Sequence, residues 1–244
     1  MSNAPSSSGP VAPQLAQLLA QDPLALDPDV VPQIDALDLT RGRPLIVTDC
    51  DEVLMQFLVG LETYLETQGL WLDLKSYALS GNIKHRNTNI ALEPSDMPAL
   101  MKGFFTASTG SLLPVDGAAD ALKALSARAQ IVVLTNVPLA DKEARSQNLA
   151  AEGMDYPVIA NKGLKGAAVR MMADRVQAPV FFLDDIPHNI ASVAKAHEAS
   201  HRLHFIADKR LARLMGQSPD SHFHTSEWPE AHTYIAARLD ESGH

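Results

Sequence analysis

The hydrophobic and polar positions of this chain fall into short apolar runs that each end in a polar residue. Pro44 to Asp49 (PLIVTD), Ile131 to Asn136 (IVVLTN) and Val180 to Asp185 (VFFLDD) share this form. Tyr156 to Asn161 (YPVIAN) and Arg202 to Asp208 (RLHFIAD) are weaker versions. Runs of this length, rich in β-branched and aromatic residues, predict parallel strands buried on both faces. Helical stretches alternate with them, over Gly117 to Arg128, Pro138 to Glu152, Leu164 to Val176 and Pro187 to Ala199; Val169, Met172 and Val176 keep helical spacing. Strand–helix alternation predicts an α/β protein with a parallel sheet and right-handed crossovers. The polar residues then gather at the C-terminal ends of the strands, where open α/β sheets bind ligands.

The interval between Asp49 and Ile131 breaks the alternation, being far longer than one crossover needs. Phe57, Leu61, Tyr64 and Leu65 mark one amphipathic helix, and Met97, Leu100, Met101, Phe104 and Phe105 another, with the polar loop GNIKHRNTN (Gly81 to Asn89) between them. The expected organisation is a Pro-rich arm over 1–43, a core from 44–56 and 108–240, and an inserted helical cap over 57–107. Such an insertion beside the ligand end of the sheet is a lid that excludes water and selects substrate. Spaced prolines and the Ser6 to Ser8 run predict disorder for the first dozen residues. Leu24 to Leu39 still carries Leu, Val and Ile and is expected to lie along the core. A final helix is expected from a cap at Ser226, burying Trp228, Ile235 and Leu239.

Composition narrows the class. The chain has 244 residues and one cysteine, so it needs a core of ordinary size and cannot be a disulfide scaffold. Its 29 acids against 20 Lys and Arg give a net charge of −9, which argues against a broad nucleic-acid footprint. A small anionic substrate stays open, because a local cation outweighs the global field. No apolar run approaches a membrane span, and LAQLLA is too short for a signal segment, so a cytoplasmic protein is expected.

Candidate chemistry sits at the strand ends. Asp49 and Asp51 follow the first run and can share a divalent cation, or divide nucleophile and acid/base roles. Alone, such a pair is common on surfaces. Thr135 and Asn136 end the second run, where a hydroxyl and backbone N–H groups can hold phosphate oxygens. Lys165 opens a helix in GLKGAAV. Asp184 and Asp185 end a third run, and paired buried acids are costly without a cation.

Read in order, IVTDCDEVL, VVLTN, KGAAV and FFLDD resemble the four motifs of the haloacid dehalogenase-like hydrolases. The resemblance runs from Pro44 to the last helix. It implies a Rossmann-like three-layer α/β/α core and an aspartyl-phosphate mechanism. By that likeness Asp49 is the nucleophile, Asp51 the acid and base, and Thr135 and Lys165 the phosphate-orienting pair. Asp49, Asp184, Asp185 and the backbone carbonyl of Asp51 would hold Mg²⁺. The implied activity is hydrolysis of a small phosphomonoester by a monomer or homodimer. Family members that cleave carbon–halogen bonds generally lack the second acid, so Asp51 favours phosphoryl transfer. Two points depart from the pattern or leave it open. Glu52 stands where the family often has Gly or Asp, and Lys162 competes with Lys165, which is preferred because a helix follows it directly.

Other readings stay open. A phosphomutase uses the same four motifs, and an idle binding module would keep the fold without the reaction. A signalling receiver domain fits less well, because its paired acids come on the first strand. Lys84, His85 and Arg86 in the cap loop are candidates for a second anionic group on the substrate, or simply a solvated loop. His197, His201 and His204 lack a completing acid or Cys for a zinc site. His222 and His224 read as surface histidines. Cys50 has no designated base, and Asn189 is expected to tie the loop after the paired acids.

Overall fold

The computed structural model describes Asp22 and residues 24–244; the expected disorder of the first dozen residues lies outside them. The core is a six-stranded, all-parallel sheet in the order β5-β4-β1-β6-β7-β8. Its strands are β1 (Leu45–Thr48), β4 (Gln130–Thr135), β5 (Val158–Ala160), β6 (Val180–Asp184), β7 (His201–Phe205) and β8 (Phe223–Thr225). Chain order runs outward from β1 to β5 on one side and from β6 to β8 on the other. The reversal falls between β1 and β6, the place where such a sheet opens a crevice.

Side-chain alternation divides the core in two. Ile46, Ile131, Val133, Phe181 and Leu183 face one side and pack on α4 (Ala118–Ser126) and on α9 (Trp228–Glu241). Leu45, Val47, Val132, Leu134 and Phe182 face the other and meet α6 (Gly166–Val176) and α7 (Pro187–Ala196). Because both faces are covered, the strands read as unbroken apolar runs. As expected, α9 buries Trp228, Ile235 and Leu239; the Trp228 indole donates to the Val53 carbonyl at 2.9 Å. The helix itself starts two residues after Ser226. A further helix of the core, α5 (Lys142–Ala151), follows a 3₁₀ turn over Leu139–Asp141.

The described part of the arm lies along the core and adds a short helix, α1 (Val31–Asp35). Val30 and Ile34 are buried against the α6 face. The Gln33 side-chain amide donates to the Ala160 carbonyl and accepts from the Ala160 N–H, both at 3.0 Å. It thereby closes part of the open edge of β5, an edge that otherwise invites pairing with another chain.

Between β1 and α4 come α2 (Phe57–Thr67), β2 (Leu70–Leu72), β3 (Ile83–His85) and α3 (Met97–Ser108). The insertion is therefore not purely helical. β2 and β3 pair antiparallel, so part of the loop expected over Gly81 to Asn89 is a strand. The segments that enter and leave run side by side: the Gln56 N–H bonds the Leu113 carbonyl at 2.9 Å, and the Val115 N–H bonds the Leu54 carbonyl at 2.8 Å. Two further short elements were not foreseen: β8, in the stretch read as surface histidines, and α8 (Lys209–Leu214), capped by the Asp208 carboxylate. His222 is exposed, while His224 is half-buried.

At Gly166 the α6–α7 contact leaves no room for a side chain. A Cβ there would lie 2.3 Å from the Ser192 carbonyl oxygen and 2.7 Å from its carbon. Gly166→Ala is expected to lower stability by about 1–3 kcal/mol, since a backbone cannot step aside as a flexible side chain does. Chemical denaturation of the two proteins checks this; equal midpoints would show that the helices separate freely.

Candidate active site

Asp49, Thr135 and Asp184 reach the C-terminal ends of three adjacent strands, because β1 pairs with both β4 and β6. The Asp49 N–H bonds the Leu183 carbonyl at 2.8 Å, which locks the turn after β1 to β6. Lys165, at the N-terminal end of α6, is 1% exposed and extends its ammonium between the two acids. Its Nζ lies 2.7 Å from Asp49 Oδ1 and 2.7 Å from Asp184 Oδ2. Lys162, the alternative lysine, is exposed and pairs with Asp27 of the arm.

Asp184 is held on several sides. Its Oδ1 accepts from the Ile186 N–H at 2.9 Å and from Asn189 Nδ2 at 3.0 Å, and Asn189 also reaches Oδ2 at 3.2 Å. Asn189 thus ties the loop as expected. On Asp49, Oδ1 accepts both from Lys165 and from the Cys50 N–H at 2.7 Å, and among the described residues none is recorded as donating to Oδ2. Thr135 Oγ1 is buried and has no hydrogen-bond partner among the described residues. Asn136 is exposed at the cavity rim, donating to the Gly163 carbonyl at 3.0 Å and accepting from Asn161 at 2.8 Å.

The charges are unbalanced. Carboxylate oxygens of Asp49, Asp184 and Asp185 lie within 4.8 Å of one another, all buried, around one ammonium. Burial, together with the charge of Asp184, pushes Asp49 up to about 6 against the pull of Lys165. Burial and then the charges of Asp184 and Asp49 hold Asp185 well above the usual carboxylate range. Burial opposes the Lys165 charge, but Asp184 and Asp49 outweigh it and raise the ammonium above its ordinary value. Three hard oxygen donors with excess negative charge fit a divalent cation. The donor set fits, and so does the charge.

Two partners of the site escaped sequence reasoning. Arg145 of α5 is fully buried with its NH2 2.7 Å from Asp51 Oδ1, a close ion pair whose N–H directions miss hydrogen-bond geometry. Its NH1 also donates to Cys50 Sγ at 3.3 Å. Burial still lifts Asp51 above the ordinary carboxylate range, although Arg145 pulls it down. Burial pushes the Cys50 thiol far up, so it is no nucleophile. The available signal was positional: Arg145 shares a helix face with buried Leu149. The second is Tyr77, from the insertion, whose hydroxyl donates to Asp185 Oδ2 at 2.8 Å. It sits in an irregular stretch with no periodicity to mark it.

Glu52 explains the departure noted in the sequence. Its φ is +58°, a left-handed conformation that ordinarily favours glycine. The carboxylate is anchored at both oxygens, Oε1 accepting from the Leu58 N–H at 2.6 Å and Oε2 from the Asp208 N–H at 2.9 Å. It therefore caps the start of α2 from a distance, since Gln56 offers no side-chain cap. Lys84 and Arg86 do not reach the site; they pair with Asp73 at 2.6 Å and Glu66 at 2.8 Å.

The acids open into a cavity of about 250 Å³ whose floor includes Asp49, Asp51, Lys165, Asp185 and Asn189. A second cavity, of about 300 Å³, lies near Gln56, Asp116 and Asp208; it shares Glu52 with the first and contains none of those five groups. The chemistry belongs to the first.

Neither a protein-family model nor a curated protein matches the sequence. Solved structures do. A conserved haloacid dehalogenase-like protein of unknown function from Agrobacterium tumefaciens matches with a TM-score of 0.56 at 15% identity, over 81% of this chain and 99% of that one. A haloacid dehalogenase family hydrolase from Deinococcus radiodurans, solved with bound phosphate and sodium, matches with a TM-score of 0.54 at 16% identity, over 82% and 96%. CbbY from Rhodobacter sphaeroides, in complex with phosphate, matches with a TM-score of 0.52 at 16% identity, over 77% and 96%. The chain has the haloacid dehalogenase-like fold. Among the described residues, no helix is long and apolar enough to cross a membrane.

Burial raises Glu52 from an ordinary 4.5 to about 7. Between those values the folded protein keeps a proton that the unfolded chain has lost, so this group's contribution to stability falls as pH rises. Glu52→Gln removes the titration. Its melting temperature is expected to fall less than wild type between pH 5 and pH 8, whatever the constant offset; parallel curves in a calorimetric scan would contradict the assignment.

Proposed function

We propose that the protein is a divalent-metal-dependent phosphomonoester hydrolase working through an aspartyl phosphate on Asp49. The observation that carries this reading is the Lys165 ammonium, buried 2.7 Å from both Asp49 and Asp184 at the ends of neighbouring strands. A carboxylate attacking a phosphate ester meets repulsion from a polyanion, and fixed cations remove it.

In this mechanism Asp49 Oδ2 attacks phosphorus, since Oδ1 is engaged by Lys165 and the Cys50 N–H. The bond from phosphorus to the ester oxygen breaks, and that oxygen takes a proton from Asp51. Raised by burial, Asp51 is suited to carry the proton, and Arg145 fixes its direction. Asp51 then accepts a proton from the water that attacks the acyl phosphate, releasing phosphate and restoring Asp49. The unpartnered Thr135 hydroxyl and Lys165 are the donors for the phosphoryl oxygens. A divalent cation held by Asp49, Asp184, Asp185 and the Asp51 carbonyl supplies further charge neutralisation when bound. Residues 57–107 serve as a cap on a core built from 44–56 and 108–240, with Tyr77 as its contact to Asp185.

Phosphate release from a panel of phosphorylated metabolites tests the proposal. Release is expected with Mg²⁺ and not with EDTA. It should be abolished in Asp49→Asn and reduced about 10²–10³-fold in Lys165→Ala, the loss typical of one preorganised donor. Full activity of Asp49→Asn would overturn the mechanism.

A further inference from the structure

The roof of the active-site cavity differs in chemistry from its floor. Phe57, Leu58, Tyr77, Leu79 and Phe105, all from the insertion, cover the acids, and Leu211 of α8 completes the apolar wall. Tyr77 is the one polar side chain among them, and its hydroxyl is taken by Asp185. The rings of the roof pack on one another. Phe57 meets Phe104 edge to face at 5.1 Å and lies 6.3 Å from Phe105, while Phe104 and Phe105 are 5.5 Å apart. Such rings offer edges and faces to another ring.

The charged lining points the same way. Among the described residues Lys165 is the one cation lining this cavity, and it is already placed between two carboxylates. Asp51, Glu52 and Asp185 line the same space. The insertion's cations Lys84 and Arg86 are held in ion pairs away from it. A second anionic group on a substrate would meet no partner here and several repelling acids. Sugar hydroxyls turned toward this roof would lose water and find no free partner there, since the acids lie on the opposite side of the cavity, and unpaired buried polar groups are costly. The cavity is also small, about 250 Å³, below the ~300–1,000 Å³ of pockets for drug-sized ligands.

The geometry points to a phosphate ester whose leaving group is a single uncharged, apolar or aromatic alcohol, seated against Phe57 and Phe105. This substrate class rests on the phosphoryl-transfer reading above. It excludes nucleotides, bisphosphates and phosphorylated carboxylic acids as preferred substrates.

Binding separates the class from the reaction. The Mg²⁺-loaded full chain is titrated calorimetrically with three stable phosphonates: benzylphosphonate, hydroxymethylphosphonate and phosphonoacetate. Benzylphosphonate is expected to bind at least about ten-fold more tightly than either other ligand, because only it buries apolar area under the roof. Phe105→Ser is expected to shrink that ratio several-fold, with folding of the variant checked by its melting curve. Leu79→Asn, at a second roof position, is expected to do the same. Phosphonoacetate or hydroxymethylphosphonate binding as tightly as the benzyl compound overturns the inference, as does a ratio unmoved by both variants or failure of all three to bind. The benzyl preference without turnover of benzyl phosphate would support the apolar selection while contradicting the hydrolase reading.

Discussion

The Lys165 ammonium is the interaction on which the site depends. Without it, Asp49, Asp184 and Asp185 are three carboxylates within 4.8 Å in a place largely closed to water. Ion pairing at 2.7 Å to two of them lets these side chains stay together in the folded chain, and each partner is fixed from behind. Asn189 and the Ile186 N–H hold Asp184, the Cys50 N–H holds Asp49, and Gly166 lets α6 approach α7 closely enough to bring Lys165 into range. One buried cation against three acids leaves an excess of negative charge. That excess is the reason the site suits a divalent ion, whose charge offsets it.

A second constraint joins this centre to the insertion. The turn after β1 requires a left-handed residue, and the chain uses Glu52 where glycine would be conformationally easier. Its carboxylate binds the first turn of α2 on one side and the loop after β7 on the other. The nucleophile's turn, the start of the insertion and the sheet's far half are therefore tied through one side chain. Three residues before it, Asp49 carries the proposed chemistry; five residues after it, Phe57 begins the apolar roof.

Much of the sheet was legible because burial on both faces leaves a simple trace: an unbroken apolar run with a polar end. Leu45–Thr48, Gln130–Thr135 and Val180–Asp184 all have it. β8 does not, since Phe223–Thr225 is short, lies at the sheet's edge and alternates with histidines. The pair β2 and β3 was hidden in the same way within polar sequence. Asp49, Asp51, Lys165, Asp184 and Asp185 were singled out from strand-end position and motif order, and the fold brings their side chains to one cavity or its edge. Lys84 and Arg86 lie elsewhere because local acids, Asp73 and Glu66, capture them. Arg145 and Tyr77 were missed for a common reason. Each acts through a contact far away in sequence, and nothing in its neighbours announces that contact.

The proposed mechanism requires Asp49 to carry the phosphoryl group during turnover. Acid quenching of the Mg²⁺-loaded protein during hydrolysis of an aryl phosphate, followed by peptide mass spectrometry, reads this directly. The expected result is one phosphoryl group on the peptide containing Asp49, removed by hydroxylamine as an acyl phosphate must be, and absent in Asp49→Asn. Steady hydrolysis with Asp49 unmodified, and with the Asp49→Asn protein still active, would contradict it.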